Sequence, residues 1–149
     1  MKFRINVSGD KKTEIQEFLE SHGIETGEDA GFTIIESNNG SSFVSVRDDD
    51  RERINLSAEE IIFIEAFGKD IEIHTADGTF YSSDRMYQLE SVLDRKEFLR
   101  ISKSVIISRK HVKKIRPSLS MKFILTMSDG TLLDVTRSYY NDFRRFFNI

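Results

Sequence analysis

The sequence predicts a mainly β protein, a run of antiparallel hairpins with short helices, preceded by a small α+β module. Many short segments alternate apolar and polar residues, as half-buried strands do. Turn dipeptides separate several of them: Asn39-Gly40, Asp77-Gly78 and Asp129-Gly130. Helical spacing of apolar residues recurs in only a few stretches. No two helices are joined by a short turn, so a helix-turn-helix protein is not expected.

The first 48 residues predict a βαββ module. Lys2–Val7 alternates as a strand, and Asp10 offers an N-cap to a helix that Gly23 ends. Two β-rich runs follow, at residues 31–36 and 42–47, and the turn signal Asn38-Asn39-Gly40 between them predicts a hairpin. A module of this size has a marginal core, so we expect it to lean on the second domain or on another copy.

An acidic run, Asp48-Asp49-Asp50, is predicted to be a solvated linker, because it lacks the spaced ligands and glycine of a calcium loop. The predicted domains are therefore residues 1–48 and residues 51–149. Residues 1–50 carry a net charge of −6 and residues 51–149 a net charge of +3, so the two parts should meet different partners.

The second domain predicts further hairpins around one short helix. The expected helix begins after Asp84 and buries Met86, Leu89 and Leu93. Another amphipathic helix is expected at the C-terminus, around Phe143. The predicted strands are residues 53–56, 61–67, 70–75 and 79–82, a pair of strands from Phe98 to Pro117, and residues 121–127 and 131–136.

A basic stretch, Phe98–Arg116, contains seven Lys or Arg residues and no acid, in a chain whose net charge is −3. Apolar residues are threaded between the bases, so the stretch predicts core strands with cations on exposed faces and turns. Such a surface suits an anionic polymer, because Lys and Arg release condensed counterions from phosphates. Composition alone leaves open a basic surface without any partner.

Other classes of function are less well supported by the residues. His22, His74 and His111 are far apart and the chain has no Cys, so no metal site, cofactor or enzymatic activity is expected. A β-rich module that binds an acidic protein partner remains an alternative. No apolar run approaches about 18 residues and no signal-peptide core is present, so we expect a cytoplasmic protein without membrane contact.

Three spans in order resemble the LytTR family of bacterial DNA-binding domains over about residues 55–147. They are IIFIEAFGKDIEIHTADGTFY, DRMYQLESVLDRKEFLRISKSVIISRKHVKKI and FILTMSDGTLLDVTRSYYNDF. The resemblance includes Phe98, Arg100 and Ser104 of a Phe-x-Arg-x-x-x-Ser motif, and Thr136-Arg137 after an Asp-Gly hairpin. It implies a transcription regulator with stacked antiparallel sheets that approaches DNA with loops.

The resemblance also implies the DNA contacts. Arg137 is expected to read a base edge in the major groove, Lys69 to contact DNA from the first loop, and Lys103 to occupy a minor-groove or phosphate position. Phosphate positioning is assigned to Arg100, Ser104, Arg109 and Lys110. Asp70 and Ser102 also match contact positions, although the family often has His at Ser102, and the Asp70 carboxylate would repel a phosphate.

Three of these residues have alternative roles: Arg100 could instead pair with Glu65 or Glu97, Ser104 could cap a strand end, and Arg109 could be solvated. The partner implied is double-stranded DNA, bound at promoter direct repeats by a homodimer. No small-molecule substrate is expected. The acidic module could mediate dimerisation or sense a partner, and a receiver domain would not fit within fifty residues.

Overall fold

A computed structural model describes residues 1–7, 9–35 and 43–149. The chain divides into two compact units, Met1–Ser37 and Asn38–Ile149, which are described separately. The elements in the described ranges are β1 (Lys2–Asn6), α1 (Lys11–Ser21), β2 (Glu25–Thr26), β3 (Phe32–Ile35), β4 (Phe43–Arg47), β5 (Arg53–Ser57), β6 (Ile61–Phe67), β7 (Asp70–Thr75), β8 (Gly78–Ser82), α2 (Met86–Val92), β9 (Phe98–Ser102), β10 (Val105–Ser108), β11 (Val112–Ser118), β12 (Lys122–Met127), β13 (Leu132–Val135) and α3 (Tyr140–Phe147).

The first unit is a small parallel sheet with one helix. β1 lies in the centre and pairs in parallel with β2 and β3. Ile5 and Leu19 are its buried apolar side chains among the described residues. Asp10 occupies the predicted N-cap position, but its side chain makes no capping hydrogen bond. The helix ends near Gly23, whose φ of +75° suits glycine.

The predicted hairpin that would close the first module is not formed by the described strands. β4 pairs with β5 along its length and touches β8 at Arg47 and Tyr81, so it belongs to the second unit. The reason is packing: Val44 and Val46 are almost fully buried in a core that β6 and β7 share. The predicted turn Asn38-Asn39-Gly40 lies outside the described residues.

The acidic run is a turn within one hairpin and not a linker. Asp48 Oδ1 accepts hydrogen bonds from the backbone N–H groups of Asp50 and Glu52, both at 2.9 Å. The backbone of Arg51 has a positive φ of 62° and donates to the Asp48 carbonyl at 3.0 Å. The turn therefore joins β4 to β5 inside the second unit.

The second unit contains two antiparallel sheets. The larger has seven strands in the order β5-β4-β8-β7-β6-β10-β9, and the smaller has the order β11-β12-β13. The predicted strands at Ile61–Phe67 and Asp70–Thr75 are confirmed at both ends. The stretch from Phe98 to Pro117 holds three strands instead of the expected pair, because β9 and β10 belong to the large sheet and the chain then crosses to the small sheet, which β11 starts.

Apolar side chains cover both faces of the large sheet. On one face, Ile64 and Ile73 pack with Leu89 and Leu93 of the α2 region. On the other, Ile107 packs with Leu125 of the small sheet and Phe143 of α3. The central strands are thus buried on both sides, which holds their ends in fixed positions.

Helix α2 begins where the sequence suggests, with a different cap. The side-chain oxygen of Gln88 accepts a hydrogen bond from the Arg85 backbone N–H at 2.8 Å, so Asp84 is not the capping residue. Among the described residues, no helix has the length and apolar character needed to cross a bilayer.

Candidate nucleic-acid interface

Two turns lie side by side at one end of the large sheet. Gly68-Lys69 joins β6 to β7, and Lys103-Ser104 joins β9 to β10. Because β6 and β10 are antiparallel neighbours, the last residues of β6 lie next to the first residues of β10. The backbone N–H of Ala66 donates to the Ser104 carbonyl at 2.8 Å, which ties the second turn to the strand that carries the first.

Arg137 reaches the same end of the sheet by a different route. The preceding residue, Thr136, donates its backbone N–H to the Ile101 carbonyl of β9 at 3.0 Å, and its hydroxyl approaches the same oxygen at 3.4 Å. Arg137 then begins a short 3-10 turn that leads into α3. Because Ile101 lies two residues before Lys103, Arg137 and the β9–β10 turn are neighbours.

The three cations of these segments are available for a ligand. Lys69, Lys103 and Arg137 are all exposed. Among the described residues, no side-chain hydrogen bond or ion pair engages them. Three positive charges from three separate segments thus have no partner within the described part of the chain, which suits an extended anion.

Arg100 supports the β9–β10 turn from inside. Its Nε donates to the Ser102 carbonyl at 3.2 Å, and its Nη2 donates to the Lys103 carbonyl. Its Nη1 pairs with Glu90 Oε2 of α2 at 3.4 Å. The alternative prediction, that Arg100 pairs with Glu65 or Glu97, is wrong, because its guanidinium points towards Glu90 of α2. These contacts support a structural role for Arg100 in presenting Lys103.

Ser102 also faces inward. It is only 9% exposed, and its hydroxyl accepts a hydrogen bond from the Ser104 backbone N–H at 3.2 Å. The two hydroxyls of Ser102 and Ser104 lie 3.4 Å apart. Ser104 itself is exposed. The contact roles assigned to both serines stay predictions, and the geometry favours Ser104 as the accessible one.

Arg109 and Lys110 lie at the opposite end of β10, beyond Ser108. The guanidinium of Arg109 stacks over Phe146 at 5.0 Å and Phe147 at 5.5 Å from the ring centroids. The Lys110 ammonium pairs with Glu59 at 3.6 Å. The structure does not bring these two bases to Lys103, since a whole strand separates them. Their phosphate roles stay predictions.

Acidic residues flank the first turn on its other side, which sequence reasoning did not anticipate. A cleft of about 470 Å³ is lined by residues of the β4–β5 turn, the β6–β7 turn and β8: Arg47, Asp48, Asp49, Arg51, Lys69, Asp70, Tyr81, Ser82 and Ser83. The negative charge of Asp49 raises the pKa of the Tyr81 hydroxyl, with burial and Glu72 adding to the effect. Asp70, exposed at this border, is therefore less suited than Lys69 to a phosphate.

The fold and this surface define a class of protein: a β-rich domain that presents cationic turns from one end of stacked antiparallel sheets. The sequence model of the protein family described as the LytTr DNA-binding domain matches residues 51–148 of this chain. The chain belongs to the LytTr DNA-binding domain family, which is a family of DNA-binding domains and not a class of enzymes. The resemblance seen in the sequence and the predicted mainly β fold are both confirmed.

Individual relatives agree with this assignment. A Bacillus cereus chain described as a LytTr DNA-binding domain matches with a TM-score of 0.69 at 25% identity, covering 74% of this chain and all of that one. The sensory transduction protein LytT of Bacillus subtilis is 23% identical over 94 residues, 63% of this chain and 39% of that protein. The transcriptional regulatory protein LytR of Staphylococcus aureus is 27% identical over 89 residues, 60% of this chain and 36% of that protein. The match thus spans less than two fifths of the length of these curated relatives.

Proposed function

We propose that this protein is a bacterial transcription regulator that binds double-stranded DNA in a sequence-specific way. One observation carries the proposal: Lys69, Lys103 and Arg137, from three separate segments, are exposed at one end of the large sheet and pair with none of the residues that the structure describes. Family membership supports the choice of DNA as the anion.

The three segments would divide the work of binding. Arg137 would read a base edge in the major groove, because a guanidinium can donate two hydrogen bonds to guanine O6 and N7. Lys69 would contact DNA beside it. Lys103 would occupy a minor-groove or phosphate position, and Arg100 would hold its turn. Contacts to the DNA phosphates would supply most of the affinity, and contacts to the base edges would supply most of the specificity.

The biological setting forms part of the same proposal. The relatives named above are bacterial, which supports a bacterial and cytoplasmic regulator. Two copies would engage promoter direct repeats as a homodimer, with the acidic first unit serving dimerisation or sensing. Catalysis has no place in this function, since the interface needs only to bind and position DNA.

Selection of bound sequences from a random duplex pool tests this function. We expect an enriched motif and a steep dependence of the binding constant on salt, with a slope of about −0.9 per neutralised phosphate. An acidic protein competitor provides the contrast, because an acidic protein partner would replace DNA without any sequence preference. Recovery of random sequences, together with full displacement by the acidic competitor, would contradict the proposal.

A further inference from the structure

The hairpin of β11 and β12 carries a second cationic surface, formed by Arg116, Leu119, Met121 and Lys122, and called here the hairpin surface. Its position follows from strand register. Phe123 pairs with Val135 in the small sheet, so Lys122 lies opposite the residue after Val135, which is Thr136. Adjacent strands are about 4.8 Å apart. Continuing this register by one residue therefore places Lys122 and the hairpin tip at the end of the small sheet where β13 leads into Arg137.

The charges of this surface are not neutralised. The strands β11, β12 and β13 contain four bases, Lys113, Lys114, Arg116 and Lys122, and a single acid, Asp134. Ile124 of β12 pairs with Asp134 on one side and with Arg116 on the other, so a whole strand lies between the acid and Arg116. Within the described ranges, no ion pair joins Asp134 to Arg116 or Lys122, and both bases are exposed.

The tip between the two strands is a tight turn. Ser120 and Met121 have positive φ angles of 66° and 57°, a region that non-glycine residues rarely occupy. Leu119 beside them is 88% exposed and Met121 is 46% exposed. Positive φ at two successive residues is what a tight hairpin turn of type I′ requires, so the hairpin itself accounts for this backbone, which leaves the two apolar side chains exposed beside Lys122.

We propose that the hairpin surface is a fourth contact segment for duplex DNA, in which Lys122 and Arg116 bind backbone phosphates next to the base pair that Arg137 reads. The inference rests on the proposed DNA-binding function and extends its footprint beyond the three segments already described. On the other side, the acidic β4–β5 turn borders Lys69. Together these features give the interface a direction, from an acidic border at Lys69 to a basic extension beyond Arg137.

A surface of bases with two exposed apolar side chains could also contact an anionic lipid headgroup layer. The strand register favours DNA over a membrane, because it places Lys122 at the end of the small sheet that leads into Arg137. From there Lys122 could contact the phosphates that follow the base pair read by Arg137. Two apolar side chains also provide little area for insertion into a bilayer. The experiment must therefore distinguish binding to duplex DNA from binding to an anionic membrane.

The test compares salt dependence in Lys122→Ala, Arg116→Ala and the control Lys113→Ala of the full chain. Lys113 is an exposed base on the same sheet, near the end of β11 that is farther from Arg137. The probe is the duplex enriched by selection, titrated between 50 and 200 mM salt. For Lys122→Ala and for Arg116→Ala, we expect the slope of log K against log salt to become shallower by about 0.9. The loss of affinity across this salt range then becomes about 3-fold smaller. Lys113→Ala should follow the unsubstituted chain.

Each outcome decides the question. Slopes for Lys122→Ala and Arg116→Ala equal to that of the unsubstituted chain would overturn the hairpin contact while leaving the proposed function intact. An unsubstituted chain that binds no duplex would remove both proposals. Sedimentation with vesicles containing anionic phospholipid forms the second arm. Binding to vesicles that is lost in Lys122→Ala, with unchanged DNA slopes, would replace DNA with the membrane as the partner.

Discussion

The Arg137 guanidinium has no partner among residues 1–7, 9–35 and 43–149, and its backbone lies between Thr136, which is bonded to β9, and the start of α3. The Arg137→Ala variant should lose about 1–3 kcal/mol in binding to the selected sequence, because a bidentate contact with a base edge disappears. Its binding to random duplex should change little. Competitive titration of the two duplexes measures this ratio. Equal losses on both would reassign Arg137 to the phosphate backbone.

Arg100 acts on DNA binding through the turn that it holds. The Arg100→Lys variant keeps the charge but cannot donate to the Ser102 and Lys103 carbonyls and to Glu90 with one planar group. We expect about tenfold weaker DNA binding, equivalent to about 1.4 kcal/mol, which is close to the lower end of the roughly 1.5–3 kcal/mol that a hydrogen bond to a charged group contributes. Amide exchange of Ser104 should become faster.

The control for Arg100→Lys is Arg95→Ala, which removes an exposed base near α2 without touching the turn. Glu90→Gln should have a smaller effect than Arg100→Lys, because Glu90 is about half exposed and exposed ion pairs contribute little. If Arg100→Lys binds DNA as tightly as the unsubstituted chain, the guanidinium does not position the turn.

Tyr81 reports the electrostatics of the acidic border. Its pKa is raised above the ordinary 10.0, first by the charge of Asp49, so its neutral form is stabilised in the folded state. The resulting stabilisation is present below pH 10 and is lost as the pH rises through the raised pKa. We expect the absorbance of ionised tyrosine to show a component that titrates late.

Asp49→Asn should bring that late component back towards the ordinary value, since it removes the largest cause of the shift. Asp50→Asn is the matched control in the same turn, because Asp50 is not among the causes. Identical titrations for Asp49→Asn and the unsubstituted chain would show that Asp49 does not act on Tyr81.

At the scale of elements, β4 decides where the second unit begins. A chain of residues 51–149 lacks Val44 and Val46, which are 4% and 2% exposed in the core of the large sheet. Burial of a valine contributes about 1.5–3 kcal/mol, so this chain should be less stable than residues 38–149 by about 3–6 kcal/mol. Urea unfolding of the two chains measures the difference. Equal midpoints and slopes would place β4 outside the cooperative unit.

At the scale of the whole molecule, the prediction concerns two copies on one DNA. Direct repeats with centres about 10–10.5 base pairs apart lie on one face of the duplex, so a homodimer should bind them cooperatively. An insertion of about half a helical turn should abolish that cooperativity, because it rotates one repeat to the other face. Residues 38–149 serve as the comparison and should bind single repeats if the first unit joins the copies. Cooperative binding by this shorter chain, equal to that of the full chain, would remove the dimerisation role.

The local features of this protein are determined by the sequence alone. A continuous apolar run predicts β6, alternation predicts β7, and the Gly68-Lys69 turn separates them, because these patterns depend on neighbouring residues only. The order of the sequence motifs is sufficient to indicate the family, because it does not depend on tertiary contacts. The assignment of Lys69, Lys103 and Arg137 as DNA contacts is what that resemblance implies.

The partners of each segment were decided only by the tertiary structure. Val44 and Val46 could have served either unit, and the core of the large sheet selected them. Arg100 turns to Glu90 rather than to Glu65 or Glu97, and Arg109 and Lys110 lie a strand away from Lys103 although all are close in sequence. Strand pairing and burial are non-local, so they depend on how the whole chain packs. Only that packing places Lys122 at the end of the small sheet where β13 leads into Arg137.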